Sequence, residues 1–239
     1  MTSTSPISRP HLGLLLTEPW RAGLELVSHG LSRRTAAPRG DGHAVVLFPG
    51  LATDGKAMRT LHGLCRSLGL RPLDWGRGVN RGPSGDADAW VAALADDVAA
   101  ALDREGGPQR ASLIGWSLGG LYAREVAKRI GPRVRQVITL GTPFNADADH
   151  TRVGWLFRAL NGAAPLPREF AARLREPPPV ATTSIYSRSD GIVAWQTCVH
   201  EEHGRADVHD IEVRGSHIGM GWNPQVLRVV QERLARAAG

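Results

Sequence analysis

From residue 43 onward the chain alternates between short apolar runs and longer amphipathic ones, and that rhythm leaves few folds open to it. Residues 43–48 (HAVVLF) read as a strand that stops at Pro49-Gly50, and residues 56–68 as a helix. Residues 70–75 read as a second strand, and residues 86–102 as a strongly periodic helix closed by Gly106-Gly107-Pro108. A third strand covers 111–115, a helix 118–130 ends at Gly131-Pro132, and a fourth strand covers 134–140. After an interruption come strands at 181–186 and 208–213 and a last helix at 224–237. Strands that are apolar at consecutive positions are covered on both faces. Alternating with helices, they predict an α/β fold: a mostly parallel central sheet of about six strands flanked by helices.

A chain of 239 residues with 42% hydrophobic and 22% charged residues suits a single domain, 1–239, with a full core. Ahead of the alternation, residues 18–34 form an amphipathic helix with Trp20, Leu24, Leu26, Val27 and Leu31 toward one side. The interruption, 145–179, is too long for an ordinary loop and is expected to be a small helical cap, or lid, inserted in the domain. It carries VGWLFRALNG, in which Val153, Leu156, Phe157 and Leu160 share a helical face with Trp155 beside them. That patch either lies over a site or simply anchors the insertion.

The formal charge is +6 and the sequence pI about 10.3, almost all of it arginine; the only lysines are Lys56 and Lys128. The arginines are scattered and never form a basic run of five, so a nucleic-acid partner is not expected. Cys65 and Cys198 form no CxxC pair and are expected as free thiols, with a single disulfide as the alternative. The apolar run at residues 12–16 is short and lacks a basic flank, so it does not read as a signal peptide. No stretch has the length of a membrane span, and a cytoplasmic protein without stable membrane insertion is expected, contact with a lipid interface being left open.

The chemistry centres on Gly115-Trp116-Ser117-Leu118-Gly119, a G-x-S-x-G pentapeptide between an apolar strand and a helix. A serine on so sharp a turn needs very small residues two before and two after it, and the turn aims the helix N-terminus at the hydroxyl. A serine nucleophile needs a base, and the base needs an orienting carboxylate. In the chain order Ser, Asp, His, Asp190 falls just past the fifth strand and His217 just past the sixth, where groups on a parallel sheet converge. His200, His203 and His209 lie before or within the last strand and fit the base role poorly. For an oxyanion, the N–H of Leu118 and that of Leu51, beside Gly50, are the candidate donors. His200-Glu201-Glu202-His203 has the wrong spacing for H-E-x-x-H, and neither metal nor other cofactor is expected.

The pieces FPGLATD, GWSLGG, LGTPF, YSRSDGIVAW and GSHIGMGWNP, in this order, resemble bacterial α/β-hydrolase lipases and esterases over residues 43–237. The resemblance implies a serine esterase with a cap between the fourth strand and the acid-bearing strand. It implies a triad of Ser117, Asp190 and His217, with Leu51 and Leu118 at the oxyanion. Trp116 stands where that type usually carries histidine. Trp116, Trp155, Phe157 and Trp222 are the candidate contacts for a small ester or lipid-like substrate with an apolar part. The same triad would serve an acyltransferase, a thioesterase or a lactonase, and a non-catalytic binding protein of this fold is the alternative from another class.

Overall fold

The computed structural model describes residues 10–31, 40–104, 110–145, 168–200 and 204–236. Residues 146–167, which include Trp155 and Phe157, lie outside the described residues, as do Glu201, Glu202 and His203. The six strands are β1 (Ala44–Phe48), β2 (Arg71–Asp74), β3 (Ala111–Trp116), β4 (Val134–Leu140), β5 (Ala181–Tyr186) and β6 (Val208–Glu212). They form one all-parallel sheet in the order β2-β1-β3-β4-β5-β6. Six helices accompany them: α1 (Leu12–Leu31), α2 (Arg59–Ser67), α3 (Ala87–Arg104), α4 (Leu118–Arg129), α5 (Arg168–Arg175) and α6 (Pro224–Arg236).

Side chains alternate across the strands, so the sheet separates two cores. Val46, Phe48 and Leu113 face α3 and α4, where Phe170 and Leu174 of α5 join them. Val45, Leu47, Ile114, Ile138 and Leu140 face α2 and α6. The chain leaves β1 toward β2 on one side and returns to β3 on the other. The carboxyl ends of β1 and β3 therefore flank the crevice at which such sheets bind ligands.

Several elements differ in their bounds from the sequence expectation; the helix expected over 56–68, for one, is a 3-10 turn at Gly55–Met58 followed by α2. Strand β2 is two residues shorter, because Leu70 and Trp75 are buried without belonging to the ladder. Helix α1 begins at Leu12 rather than near residue 18, and runs through Pro19. A proline suits a first helical turn, which makes residue 18 the natural start on sequence grounds. Inside a helix it removes the N–H that would serve the Leu15 carbonyl, while two carbonyls of the preceding turn take side-chain donors. Thr17 Oγ1 donates to the Gly13 carbonyl at 2.7 Å, and Arg21 Nη2 to that of Leu14 at 3.0 Å.

The apolar side of α1 faces out. Leu16, Trp20 and Leu31 are 79%, 74% and 80% exposed, and Leu12, Leu24, Leu26 and Val27 are also exposed. Only Glu18 and Ala22 of this helix are buried. Among the described residues no helix is long and apolar enough to cross a membrane. Both cysteines are free and buried.

Candidate active site

Ser117 sits between β3 and α4 with φ 52° and ψ −120°, one of two described non-glycine residues with positive φ. That is a strained backbone for a residue with a Cβ, and it persists only where the surroundings impose it. Here its N–H donates to the Leu140 carbonyl at 2.8 Å, and its own carbonyl accepts from Thr142 Oγ1 at 3.0 Å. The turn is tight enough to bring backbones into contact. A Cβ at Gly115 would collide with Gly119 and Gly120, and one at Gly119 with the backbone of Phe48 and Pro49.

Ser117 Oγ lies 3.1 Å from His217 Nε2, and His217 Nδ1 lies 2.6 Å from Asp190 Oδ2. With the Nδ1 proton shared with Asp190, Nε2 is the free acceptor facing the hydroxyl. All three side chains are buried. The other carboxylate oxygen of Asp190 accepts the N–H groups of Ile192 at 2.8 Å and Val193 at 2.7 Å, which fixes the plane of the acid. Burial opposes the charged form of His217. The charge and hydrogen bond of Asp190 and the charge of Glu18 outweigh it, so the imidazole is held above its ordinary value of 6.5.

The loop after β1 is pinned by Asn80, a fully buried residue that the sequence did not single out. Its Nδ2 donates to the Pro49 carbonyl at 2.8 Å, its N–H to Thr53 at 2.8 Å, and its carbonyl accepts from Ala52 at 2.7 Å. Ala52 thereby takes φ 60°. Among the described residues, the N–H groups of Leu51 and Leu118 have no acceptor.

The tryptophans expected to touch substrate have other partners. Trp116 is 7% exposed and donates its indole N–H to the His217 carbonyl at 3.1 Å. Trp222 donates its own to the Ala22 carbonyl of α1 at 2.9 Å. In both, the polar end of the ring is used to hold the protein together. Trp116→Phe keeps the ring and loses that donor. It is expected to lower stability by about 1 kcal/mol and to reduce turnover several-fold, checked by denaturant midpoint and steady-state kinetics.

Two of the competing histidines, His200 and His209, stand elsewhere, and His203 lies outside the described residues. His200 Nδ1 pairs with Asp210 at 2.7 Å and its Nε2 meets Arg124 at 2.8 Å. His209 stands near the start of β6, away from the carboxyl ends of the strands. Among the described residues no group of three or more His, Cys, Asp or Glu is placed to hold a metal ion.

A sequence model described as the alpha/beta hydrolase family matches residues 45–237. The chain belongs to the alpha/beta hydrolase family. Among curated proteins, this chain is 30% identical over 104 residues to a pimeloyl-[acyl-carrier protein] methyl ester esterase of Shewanella woodyi. The match takes in 43% of this chain and spans 37% of the length of that relative. Among solved structures, Aspergillus fumigatus lipase B superposes with a TM-score of 0.60 at 18% identity, covering 82% of this chain and 53% of the lipase. An alpha/beta superfamily hydrolase from Oenococcus oeni PSU-1 gives 0.59 at 13% identity, covering 87% and 100%. At such identities the structural likeness speaks for the fold.

Proposed function

We propose that the chain is a serine hydrolase that cleaves carboxylic esters through an acyl-enzyme. The observation that carries this reading is the continuous line from Ser117 Oγ through His217 to Asp190, at the carboxyl ends of β3, β5 and β6. His217 Nε2 takes the hydroxyl proton as Ser117 Oγ bonds to the ester carbonyl carbon. The N–H groups of Leu51 and Leu118 receive the oxyanion, and both are free to do so. Collapse breaks the bond to the alkoxy group, which leaves with the proton from Nε2. Water then gives a proton to Nε2 and attacks the acyl carbon; collapse breaks the bond to Ser117 Oγ, which takes that proton back as the acid leaves. Asp190 holds the imidazole in the required tautomer and stabilises its charged form.

The ester assignment draws on the esterase and lipase among the similar proteins. Small esters with an apolar acyl part suit the reading, with the apolar piece of the 145–179 insertion as the cap and Trp155 and Phe157 as acyl contacts. Two free, buried thiols accord with a cytoplasmic setting.

Labelling of Ser117 by a fluorophosphonate, followed across pH, tests the reading. The rate is expected to rise with pH through an apparent pKa above 6.5 and then level off, because only neutral His217 accepts the proton and its folded value is raised. Absence of labelling at Ser117, or a rate flat between about pH 5 and 9, sinks it.

A further inference from the structure

Helix α1 lies outside both cores and is held by its acidic side chains. Glu18 is 1% exposed. Its Oε1 accepts the N–H of Gly191 at 2.7 Å, the N–H of His217 at 3.0 Å and Arg21 Nη2 at 2.8 Å, while Oε2 accepts the N–H of Ile218 at 3.1 Å. Arg21 Nη1 continues to the Ser189 carbonyl at 2.7 Å. The pair thus grips Asp190 from both sides, at the carbonyl before it and the N–H after it. Glu25 does the same next to the base, accepting the N–H of Ser216 at 2.7 Å and its hydroxyl at 3.1 Å. Three successive N–H groups, those of Ser216, His217 and Ile218, therefore end on carboxylates of α1. Gly191 permits the approach, since a Cβ there would collide with the backbone of Leu14 and Leu15.

We infer that Glu18 is a positioning residue, which joins the Asp190 loop to the His217 loop and holds both in register with Ser117. The inference rests on the serine-hydrolase reading for its consequence in turnover. An apolar side chain at this position would fill the space at a smaller desolvation cost. A carboxylate alone has acceptors for all four donors, the three N–H groups from two loops and the Arg21 guanidinium, by charge-assisted bonds about twice as strong as neutral ones. It also sets a second negative charge near the imidazole. The charged groups that bear on His217 are Asp190 from the β5 loop and Glu18 from α1, both raising its affinity for a proton, with Arg21 paired to Glu18 and offsetting part of its charge.

The test reads His217 directly. Imidazole titration by NMR in a Ser117→Ala background is compared with and without Glu18→Gln, alongside pH–rate profiles in the active chain. Glu18→Gln is expected to lower the His217 pKa by roughly half a unit or more, and to cut kcat by about tenfold or more with KM nearly unchanged. Glu18→Asp keeps the charge and shortens the reach, so it retains more of the pKa than of the kcat. Arg21→Gln, at a partly exposed position, gives the opposite sign and raises the pKa; it decides the matter if Glu18→Gln does not fold. An unmoved His217 pKa in both Glu18→Gln and Arg21→Gln, with only a lower melting temperature, overturns the inference. A parent chain inert to the fluorophosphonate overturns the reaction reading alone, and the titration still decides whether Glu18 governs His217.

Discussion

Ser117→Ala is expected to fold as the parent does and to lose ester hydrolysis by roughly 10⁴–10⁶-fold. The replacement keeps the Cβ, so the strain of φ 52° is unchanged, as are the main-chain bonds to Leu140 and from Thr142. Only Oγ disappears, and with it the atom that faces His217 Nε2 at 3.1 Å. His217→Ala should cost a similar factor, and the double variant little more, because the two act as one unit. Purified variants with matched melting curves, assayed on p-nitrophenyl esters, give the answer. Residual turnover by Ser117→Ala above about a tenth of the parent rate would refute the nucleophile assignment.

The second large effect concerns stability. Arg124 on α4 is fully buried, and its Nη2 donates to the carbonyls of Leu174 at 3.2 Å, Arg175 at 3.2 Å and Glu176 at 3.0 Å. These are end groups of α5, which have no partner within a helix of eight residues. Nη1 reaches His200 at 2.8 Å, and the guanidinium lies 3.8 Å over the Phe144 ring. Arg124→Met fills much of the volume and supplies no donor. The Leu174 carbonyl is buried and those of Arg175 and Glu176 partly so; at about 1–3 kcal/mol for a carbonyl left unpaired, a total loss of about 3 kcal/mol is expected. For a chain of this size that lowers the melting temperature by roughly 6–12 °C. Calorimetry decides it. A melting point within a degree or two of the parent would mean that water or a neighbour replaces the guanidinium without loss.

The central strands were legible because both of their faces are covered. Val134–Leu140 and Ala181–Tyr186 match the sequence reading at both ends, although Arg135 and Gln136 interrupt the first and Thr182, Thr183 and Ser184 the second. The edge was less legible, because Arg71-Pro72-Leu73-Asp74 carries little apolar signal of its own while the flanking Leu70 and Trp75 do. In the site, Ser117, Asp190 and His217 could be singled out because each follows a strand by a short loop. Glu18, Glu25 and Asn80 could not. Their partners are main-chain groups far along the chain, and a main-chain group leaves no mark on the residue that carries it. The apolar stripe of α1 misleads for the same reason. Periodicity tells that Trp20, Leu24, Val27 and Leu31 share a side, and says nothing of which side meets the protein.

The bonds that seat α1 join parts of the chain 173, 199 and 200 residues apart for Glu18, and 191 for Glu25. A ribosome makes α1 before β1, whereas it adds Gly191 only after β5, and Ser216, His217 and Ile218 only after β6. Throughout that interval the carboxylates of Glu18 and Glu25 lack the N–H donors they hold in the folded chain. Contacts so distant in sequence also form slowly once the chain is free. Helix α1 therefore docks only after the loops that follow β5 and β6 have been made.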